Sequence, residues 1–500
     1  MEIALHTRVA DLLVGVKLLG VVGEMPTSIS GLTADSRKVV QGGCFVALAG
    51  TTSDGHDYVD KAVAAGASLV VHQRDLGHYA EGVAYLKVAD SAEVFGCLAA
   101  NLYGNPSKHL HLVGVTGTNG KTSVATLLYR LLTLMGERVG LISTVENRIL
   151  DLVLPTQFTT PAPLELQELL AKMVVAGCRY AFMEVSSHAL AQQRVAGVHF
   201  AGGIFTNLTR DHLDYHGSFQ AYRDAKKSFF DHLPANSFAL SNADDPNGAF
   251  MLQNCKARKE YYSLSNFAYV RCELLSQELE GMVLRLNGTE LYLPLLGRFN
   301  AYNIAAVYGA ALLLGCEQSE VLRLLTLLRP VRGRLQYMNI AGRVGVVDFA
   351  HTPDAIEKVL DTLVDILPSN ASIIGVMGAG GDRDHGKRPL MAAAAIKHCN
   401  KLILTSDNPR HEVPEEIIEQ MYEGIPIEAR MRVLKNVDRR EAIRTAVSLS
   451  QPKDFILVAG KGHEAYQQIG DQKFPFDDAT ELQQALELIA PESITNGQTR

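Results

Sequence analysis

Short apolar segments alternate with amphipathic segments along most of the chain. Most of the apolar segments are rich in valine and isoleucine and end in Gly, Asn, Ser or Asp. The predicted strands are CFVALAG, SLVVHQ, HLVGVTG, RVGLIST, RYAFMEV, GGIFTNL, SFALSNA, RVGVVDF, SIIGVMG, KLILTS and DFILVAG. Strands that are apolar throughout are typical of sheets buried on both faces, so this pattern predicts an α/β protein with parallel sheets covered by helices.

One helix is predicted clearly, over the segment HTPDAIEKVLDTLVDIL at 351–367. Thr352 is expected to cap its start, and Pro353 suits its first turn. Its apolar positions follow helical spacing and predict one buried stripe. The stripe consists of Ile356, Val359, Leu360, Leu363, Val364 and Leu367.

The length of 500 residues corresponds to about three domains at roughly 100–200 residues each. Two polar, proline-bearing segments interrupt the pattern, NPSKH at 105–109 and LRPVRGRLQ at 328–336. They predict domains at 1–107, 108–332 and 333–500.

The composition narrows the possible functions. Lys and Arg number 47 against 54 Asp and Glu, a net charge of −7, which argues against nucleic acid or an anionic membrane as partner. The seven cysteines are scattered without a CxxC pair, as expected for reduced thiols. The N-terminus lacks the apolar block of a signal peptide, and no segment reaches the ~18–20 apolar residues of a membrane span. We therefore expect a soluble, cytoplasmic protein.

The strongest local motif is HLVGVTGTNGKTSVATLLYRLLTLMG. A strand is predicted to end at Val115, followed by a glycine-rich turn and a helix from near Lys121. Gly117 and Gly120 would let backbone amides approach anionic oxygens at the positive end of the helix dipole. Lys121 would reach phosphates and Thr122 would bind Mg²⁺. The spacing is shorter than GxxxxGK[ST], but its position between strand and helix indicates nucleoside triphosphate binding, with kinase, motor, switch and ligase all open.

Two further strand ends carry polar groups. Glu184 ends RYAFMEV, where its carboxylate could share Mg²⁺ with Thr122, the alternative being a helix-capping or surface acid. The following segment supplies donors for an anionic ligand, namely Ser186, His188, Gln192 and Arg194.

The segment NLTRDHLDYHG places two histidines and two aspartates in six residues, which are Asp211, His212, Asp214 and His216. Such a cluster beyond a strand end indicates a site rather than a structural histidine. Lys226 and Lys227 follow. A lysine ammonium near Mg²⁺ would be repelled, whereas carbamylation by CO₂ would make it an anionic oxygen ligand. The alternative is a surface lysine.

Ten motifs in order from 116 to 467 resemble those of the Mur ligases of peptidoglycan synthesis. They are TGTNGKTS, MEVSSHAL, TNLTRDHLDYHG, AKKSFF, LGRFNAYNIAAV, VRGR, DFAHTPDA, GAGGDRDHGKRP, DNPRHE and GKGHEAYQ. The N-terminal DSRKVVQGGCFVALAGTTSDGHDYV resembles the UDP-binding domain of these enzymes. Within the family, DFAHTPDA with GGDRDHGKRP is similar to the branch that adds a diamino acid. Two departures are the absence of an arginine after FDD in FPFDDATE and the presence of Phe158 before Thr159.

The resemblance implies three α/β domains. They are a UDP-MurNAc-binding domain (1–107), a central ATP-binding P-loop domain with a mainly parallel sheet (108–332), and a C-terminal Rossmann-like domain that binds the amino acid (333–500). It implies a monomeric enzyme that uses ATP and Mg²⁺ to phosphorylate the free carboxylate of UDP-MurNAc-L-Ala-D-Glu. The amine of meso-diaminopimelate would then attack the acyl phosphate.

The resemblance also assigns residues by position. ATP would be bound by Gly117, Thr118, Asn119, Gly120, Lys121, Thr122, Asn300, Asn303, Arg334 and Asp348. The muramyl nucleotide would be bound by Ala34, Ser36, Thr51, Thr52, Ser53, Thr159, Thr160, Ser186, Gln192 and Arg194. Mg²⁺ would be held by Thr122, Glu184, His212 and carbamylated Lys226. Diaminopimelate would be bound by Arg383, Asp407, Asn408, Pro409, Arg410, Gly460 and Glu464.

Arg410 in DNPR is expected to decide which amino acid is used. Its guanidinium can bind the second carboxylate of diaminopimelate in a bidentate way, while Glu464 pairs with the distal ammonium. Lysine has no such carboxylate and would leave a buried Arg unpaired. The alternative for Arg410 is a helix-start or surface arginine.

Other functions remain open at this stage. One is a related ligase that adds lysine to the same nucleotide or glutamates to folate. Another is a nucleotide-gated switch or binding protein that hydrolyses ATP without forming an amide.

Overall fold

The computed structural model describes residues 7–50, 53–156 and 158–489. The N-terminal part of the chain is built on a five-stranded sheet in the order β2-β7-β6-β5-β4, with β2 antiparallel to β7 and the other pairs parallel. Strands β1 and β3 form a separate antiparallel pair. The elements are β1 (Thr7–Arg8), α1 (Val9–Leu12), β2 (Gly20–Val22), β3 (Ser28–Ile29), β4 (Leu32–Thr33), β5 (Gly43–Val46), α2 (Val59–Ala64), β6 (Ala67–His72), β7 (Ala84–Lys87) and α3 (Ser91–Leu102).

The central part is an eleven-stranded sheet in the order β11-β10-β9-β12-β8-β13-β14-β15-β16-β17-β18. Its strands are parallel from β9 to β16, and both ends continue as antiparallel hairpins. Apolar clusters cover both of its faces. The elements are β8 (His111–Thr116), α4 (Lys121–Leu134), β9 (Val139–Ile142), β10 (Asn147–Ile149), β11 (Leu152–Leu154), α5 (Pro163–Val175), β12 (Tyr180–Glu184), α6 (Ser187–Ala191), β13 (Gly202–Phe205), α7 (Leu213–His216), α8 (Phe219–Asp231), β14 (Phe238–Asn242), α9 (Gly248–Met251), β15 (Arg258–Ser263), β16 (Val270–Glu278), β17 (Gly281–Leu286), β18 (Thr289–Leu293), α10 (Arg298–Leu313) and α11 (Gln318–Leu325).

The C-terminal part is a six-stranded sheet in the order β19-β20-β24-β21-β22-β23, parallel except for the edge pair β19-β20. It too has an apolar cluster on each face. The elements are β19 (Gln336–Ile340), β20 (Arg343–Asp348), α12 (Pro353–Ile366), β21 (Ile373–Met377), α13 (Lys387–His398), β22 (Lys401–Leu404), α14 (Pro414–Glu423), β23 (Val433–Lys435), α15 (Arg439–Leu449), β24 (Phe455–Ala459), β25 (Tyr466–Ile469), β26 (Gln472–Pro475) and α16 (Asp478–Leu488).

The predicted α/β class is confirmed, and all eleven predicted strands are present. Helix α12 also begins as predicted, because the Thr352 hydroxyl accepts a hydrogen bond from the Ala355 amide at 3.3 Å. Val364 was wrongly placed on the buried stripe. Its side chain is 43% exposed. Ile356 and Leu363 form the middle of the buried stripe that packs on the sheet, and Val364 lies at the edge of that stripe. Leu367 lies past the helix end, in extended backbone.

The order of the parallel strands decides where functional loops can meet. Strand β8 lies between β12 and β13, so the segments after these three strands share one sheet edge. The segments after β20, β24, β21 and β22 do the same in the C-terminal sheet. Ligands of open α/β sheets bind beyond such carboxyl edges. Among the described residues, no helix is both long and apolar enough to cross a membrane.

Candidate active site

Two cavities meet at the loop between β8 and α4, which we call the phosphate loop (residues 117–122). The first cavity has a volume of about 570 Å³ and lies between this loop, α10 and α12. The second has a volume of about 470 Å³ and lies between the central and C-terminal sheets. Asn119, Gly120, Thr122 and Arg334 line both cavities.

The phosphate loop is shaped by two glycines that no other residue could replace without strain. A Cβ at Gly117 would lie 1.9 Å from the Thr206 hydroxyl oxygen. Gly120 has φ +88°, and a Cβ there would lie 2.7 Å from the side-chain oxygen of Asn303. Asn303 lines the first cavity beside the loop. Asn300 lies behind it, accepting a hydrogen bond from the Asn303 amide at 2.9 Å, and does not line either cavity.

Lys121 lies along the loop it follows. Its Nζ donates to the carbonyl oxygens of Gly117 at 2.9 Å and Thr118 at 2.7 Å. Burial lowers the pKa of Lys121, against the opposing effect of Glu184 and Asp211. A short lysine–loop arrangement of this kind concentrates donors where an anion with several oxygens can bind.

Arg334 connects the C-terminal part to the phosphate loop. Its Nη2 donates to the Thr122 hydroxyl at 3.1 Å, and its guanidinium lies 4.4 Å from the centre of the Phe349 ring. Its buried Nε has no hydrogen-bond partner within the described part of the chain, as expected of a donor facing an anion site. Asp348 also lines the first cavity, and its carboxylate accepts hydrogen bonds from the amides of Leu335 at 2.6 Å and Ala350 at 2.7 Å.

The residues predicted to bind Mg²⁺ converge on the second cavity, which Thr122, Glu184, His212 and Lys226 all line. The Glu184 carboxylate accepts a hydrogen bond from the Thr144 amide at 2.7 Å. Burial lowers the pKa of His212 to about 3 even though Asp211 opposes that shift, so the ring is neutral and able to bind a metal. The Thr122 hydroxyl and the Glu184 carboxylate supply the oxygen ligands that suit Mg²⁺, which takes few protein ligands and completes its shell with phosphate and water. No group of three or more His, Cys, Asp or Glu side chains arranged to hold a metal occurs among the described residues.

The wall next to this centre carries part of the predicted muramyl-peptide site. Thr159, Thr160, Ser186 and Arg194 line the second cavity. Arg194 donates to the Thr160 carbonyl oxygen at 3.0 Å and lies 5.2 Å from the centre of the Phe158 ring. Gln192 does not line the cavity. Its side-chain oxygen accepts from Arg194 at 2.6 Å, so it orients that arginine.

The opposite wall carries most of the residues predicted to bind the amino acid. Arg383, Asp407, Asn408, Arg410, Gly460 and Glu464 line the second cavity, whereas Pro409 does not. Arg410 adopts φ +52° and its Nη1 donates to the Gly381 carbonyl oxygen at 2.6 Å. Its pKa is lowered by burial and by neighbouring Arg383. Two guanidiniums facing one cavity form a strong site for a carboxylate.

Glu464, the acid expected to bind the ligand's ammonium, is held by Lys461, which was not among the predicted site residues. Lys461 is fully buried, and its Nζ donates to Glu464 at 3.0 Å and to the Asn408 side-chain oxygen at 2.9 Å. Asn408 also donates to Glu464 at 2.8 Å. Burial would raise the pKa of Asp407, but Lys461 and Arg439 outweigh that effect and lower it. This wall therefore holds cations and carboxylates in fixed positions side by side. Such a surface can bind the carboxylate and the ammonium groups of an amino acid.

The remaining predicted residues lie elsewhere. Ala34, Ser36 and Ser53 belong to the N-terminal part and line neither cavity, and Thr51 and Thr52 lie outside the described residues. The second cavity is also lined by Thr144, His351 and Lys387, which were not predicted. His351 and Lys387 belong to the motifs DFAHTPDA and GAGGDRDHGKRP quoted above. Thr144 belongs to none of the motifs, so the sequence around it gave no signal for a site.

The fold and the cavities define a class: a multidomain α/β protein with a phosphate-binding loop at the boundary between two parallel sheets. Family models agree. Residues 115–311 match the Mur ligase middle domain, 333–462 match "Mur ligase, glutamate ligase domain", and 28–103 match "Mur ligase family, catalytic domain". The chain belongs to the Mur ligase family.

Two relatives and two solved structures refine the comparison. The UDP-N-acetylmuramoyl-L-alanyl-D-glutamate–2,6-diaminopimelate ligase of Phocaeicola vulgatus is 50% identical over 94% of this chain and 98% of its own. The enzyme of the same name from Bacteroides fragilis is 48% identical over 96% and 99%. A solved structure with that name is 35% identical, with a TM-score of 0.66 over 92% of this chain and 95% of its own. Folylpolyglutamate synthase of Mycobacterium tuberculosis, complexed with ADP and AMPPCP, is 20% identical with a TM-score of 0.59 over 73% and 91%, a likeness of fold alone.

Proposed function

We propose that the chain is an ATP-dependent ligase that joins meso-2,6-diaminopimelate to UDP-N-acetylmuramoyl-L-alanyl-D-glutamate in peptidoglycan precursor synthesis. The observation that carries this proposal is the second cavity, about 470 Å³ in volume, which Lys121, Arg194 and Arg410 all line. It brings the phosphate loop, the predicted peptide contacts and the predicted amino-acid contacts to one space. The relatives named for this reaction support the choice of substrates.

A carboxylate is inert to amines, so the reaction requires activation. Transfer of the γ-phosphoryl group of ATP to the glutamate carboxylate forms an acyl phosphate and releases ADP. The neutral amine of the diamino acid then attacks the carbonyl carbon, and the tetrahedral intermediate loses inorganic phosphate and a proton to give the amide. Lys121, Arg334 and the amides of the phosphate loop would bind the transferring phosphate and its charge. Mg²⁺ held by Thr122, Glu184, His212 and carbamylated Lys226 would supply further charge neutralisation there.

In this proposal each of the three segments binds one substrate. Residues 1–107 bind the uridine nucleotide, 108–332 bind ATP with Mg²⁺, and 333–500 bind the amino acid. The first cavity, beside Asn303 and the phosphate loop, is the place for the nucleoside end of ATP. The second cavity lies between the central and C-terminal domains. Closure of these two domains over the substrates would exclude water, which would otherwise hydrolyse the acyl phosphate.

In this proposal, Arg410 and Glu464 select diaminopimelate over lysine. Both line the same wall, with Lys461 fixing Glu464. The guanidinium would bind the second carboxylate of the ligand, and Glu464 its ammonium. Lysine has no second carboxylate and would leave the Arg410 guanidinium without an anionic partner, which disfavours lysine.

The test supplies purified protein with ATP, Mg²⁺ and the muramyl dipeptide nucleotide, and adds meso-diaminopimelate, lysine or glutamate in parallel. Phosphate release and the product mass are measured. An amide product with diaminopimelate alone supports the proposal, and product with lysine alone would overturn the assignment of Arg410. ATP hydrolysis that no acceptor changes, without any amide product, would identify a switch rather than a ligase.

A further inference from the structure

Arg388 is a fully buried arginine behind the amino-acid wall. Its Nη1 and Nη2 each donate to one oxygen of Glu412 at 2.8 Å, a bidentate pair. Nη1 also donates to Gln420 at 2.7 Å, and Nη2 to the Gly380 carbonyl oxygen at 3.1 Å. Neither Arg388 nor Glu412 lines the two cavities.

The pair joins two loops that are distant in sequence. The loop after β21 contains Gly380 and Arg383, and the loop after β22 contains Arg410 and Glu412. Glu412 also accepts a hydrogen bond from the Asp382 amide in the first loop. The Gly381 amide donates to the Asn408 carbonyl oxygen across the same gap at 2.9 Å. Arg388 therefore binds both loops from behind, on the side away from the cavity.

Each of the two loops contributes one arginine to the second cavity, so two positive charges lie close together there. Arg383 and Arg410 both line the second cavity and both lie close to Gly380, where a Cβ would be 3.0 Å from Arg410 Nη1 and 3.7 Å from Arg383 Cγ. Two cations on separate loops repel each other, so their spacing has to be imposed by the surrounding structure. A bidentate arginine–carboxylate pair is well suited to impose it, because the two planar groups fix both distance and orientation.

We propose that Arg388 and Glu412 form a positioning pair that sets the separation of Arg383 and Arg410, and through it the selectivity for an amino acid with a second carboxylate. This inference rests on the function proposed above. Arg388 does not touch the substrate in this scheme; it acts through the two loops.

The decisive variant is Arg388→Lys, which keeps the positive charge but loses the planar fork. We expect the KM for meso-diaminopimelate to rise about tenfold or more, the KM for ATP to stay within about twofold, and the preference for diaminopimelate over lysine to fall about tenfold, since misplacement by about 1 Å costs up to 10²-fold. Arg440→Gln is the matched control, because it breaks the pair between Arg440 and Glu481 at the surface of the same domain. It should leave all three quantities unchanged.

The outcomes separate the inference from the function on which it rests. Wild-type protein that forms no amide with diaminopimelate overturns the proposed function. Active wild-type protein, together with an Arg388→Lys variant that is less stable but keeps both KM values and the lysine discrimination, overturns the positioning role and leaves the function intact. If Arg388→Lys yields no folded protein, Glu412→Gln decides by the same three readouts, because its amide keeps the shape of the carboxylate and one acceptor oxygen.

Discussion

The amine of Lys226 donates a hydrogen bond to the carbonyl oxygen of Gly117, 2.9 Å away, and so ties helix α8 to the first glycine of the phosphate loop. Burial and the nearby charge of Lys121 hold the pKa of Lys226 well below its usual value. A neutral lysine amine is the form that attacks CO₂. The environment of Lys226 therefore favours the carbamate that we propose as a ligand of Mg²⁺.

Replacement of Lys226 by alanine should abolish amide formation, because the proposed metal site loses one of its two anionic ligands and keeps only Glu184. Excess bicarbonate should not restore it. In wild-type protein, ¹³C-labelled bicarbonate should give a carbamate resonance that Lys226→Ala lacks. Lys227→Ala is the control, since Lys227 pairs with Asp231 at 2.6 Å and should be dispensable for both the resonance and turnover. A resonance that survives in Lys226→Ala would assign the carbamate elsewhere.

Replacement of Arg410 by alanine should raise the KM for diaminopimelate far more than the KM for ATP. Loss of one charge-assisted, bidentate contact costs about 2–5 kcal/mol, which steady-state kinetics with each substrate varied in turn can measure. Equal increases in both KM values would show that Arg410 supports the site generally and does not bind the amino acid.

Replacement of Lys461 by methionine should destabilise the protein by about 3–5 kcal/mol, because Glu464 and Asp407 lose a buried cation. Urea unfolding should show the loss, and diaminopimelate should bind more weakly. Lys473→Met is the control, as Lys473 is exposed on β26. An unfolding free energy equal to that of the wild type would mean that Glu464 does not depend on Lys461.

The pair of Arg388 and Glu412 should also appear in the pH dependence of stability. Its arginine lowers the pKa of Glu412 from 4.5 to about 2. The stabilisation is therefore fully present above the unfolded-state pKa and is lost as the pH falls from about 4.5 towards 2. The difference in unfolding free energy between wild type and Glu412→Gln should be largest near pH 7 and shrink by about pH 3. A difference that stays constant over this range would contradict the ion pairing.

The fold was largely predictable where strands are apolar throughout, because burial on both faces leaves a strong signal. Strands β16 to β18 were missed. Arg271 is exposed between buried Val270 and Cys272, and in β17 the buried residues Met282, Leu284 and Leu286 alternate with partly exposed ones, as in a sheet with one open face. The two-residue turn at Asn287 and Gly288, both with positive φ, was the available signal for this hairpin.

The site was predictable where one short segment carries several of its groups. Lys121 and Thr122 stand together in the phosphate loop, and both line the second cavity. The residues that support the site were not predictable, since their partners lie far along the chain. Lys461 contacts Asn408 across 53 positions, and Arg388 contacts Glu412 across 24. No local pattern records such pairs, which arise only when the parallel strands of one sheet bring their following loops to the same edge.

The hydrogen bond from Arg334 to Thr122 spans the boundary between the two large sheets. Any hinge motion that draws these sheets apart must break this bond, and the same motion opens the second cavity on its Arg334 side. Movement of the C-terminal sheet away from the central sheet would therefore also remove the Arg334 guanidinium from the phosphate loop. Water would then reach the acyl phosphate only in the open arrangement. In that arrangement Arg334 no longer supports formation of the acyl phosphate, so little of it would be lost to hydrolysis.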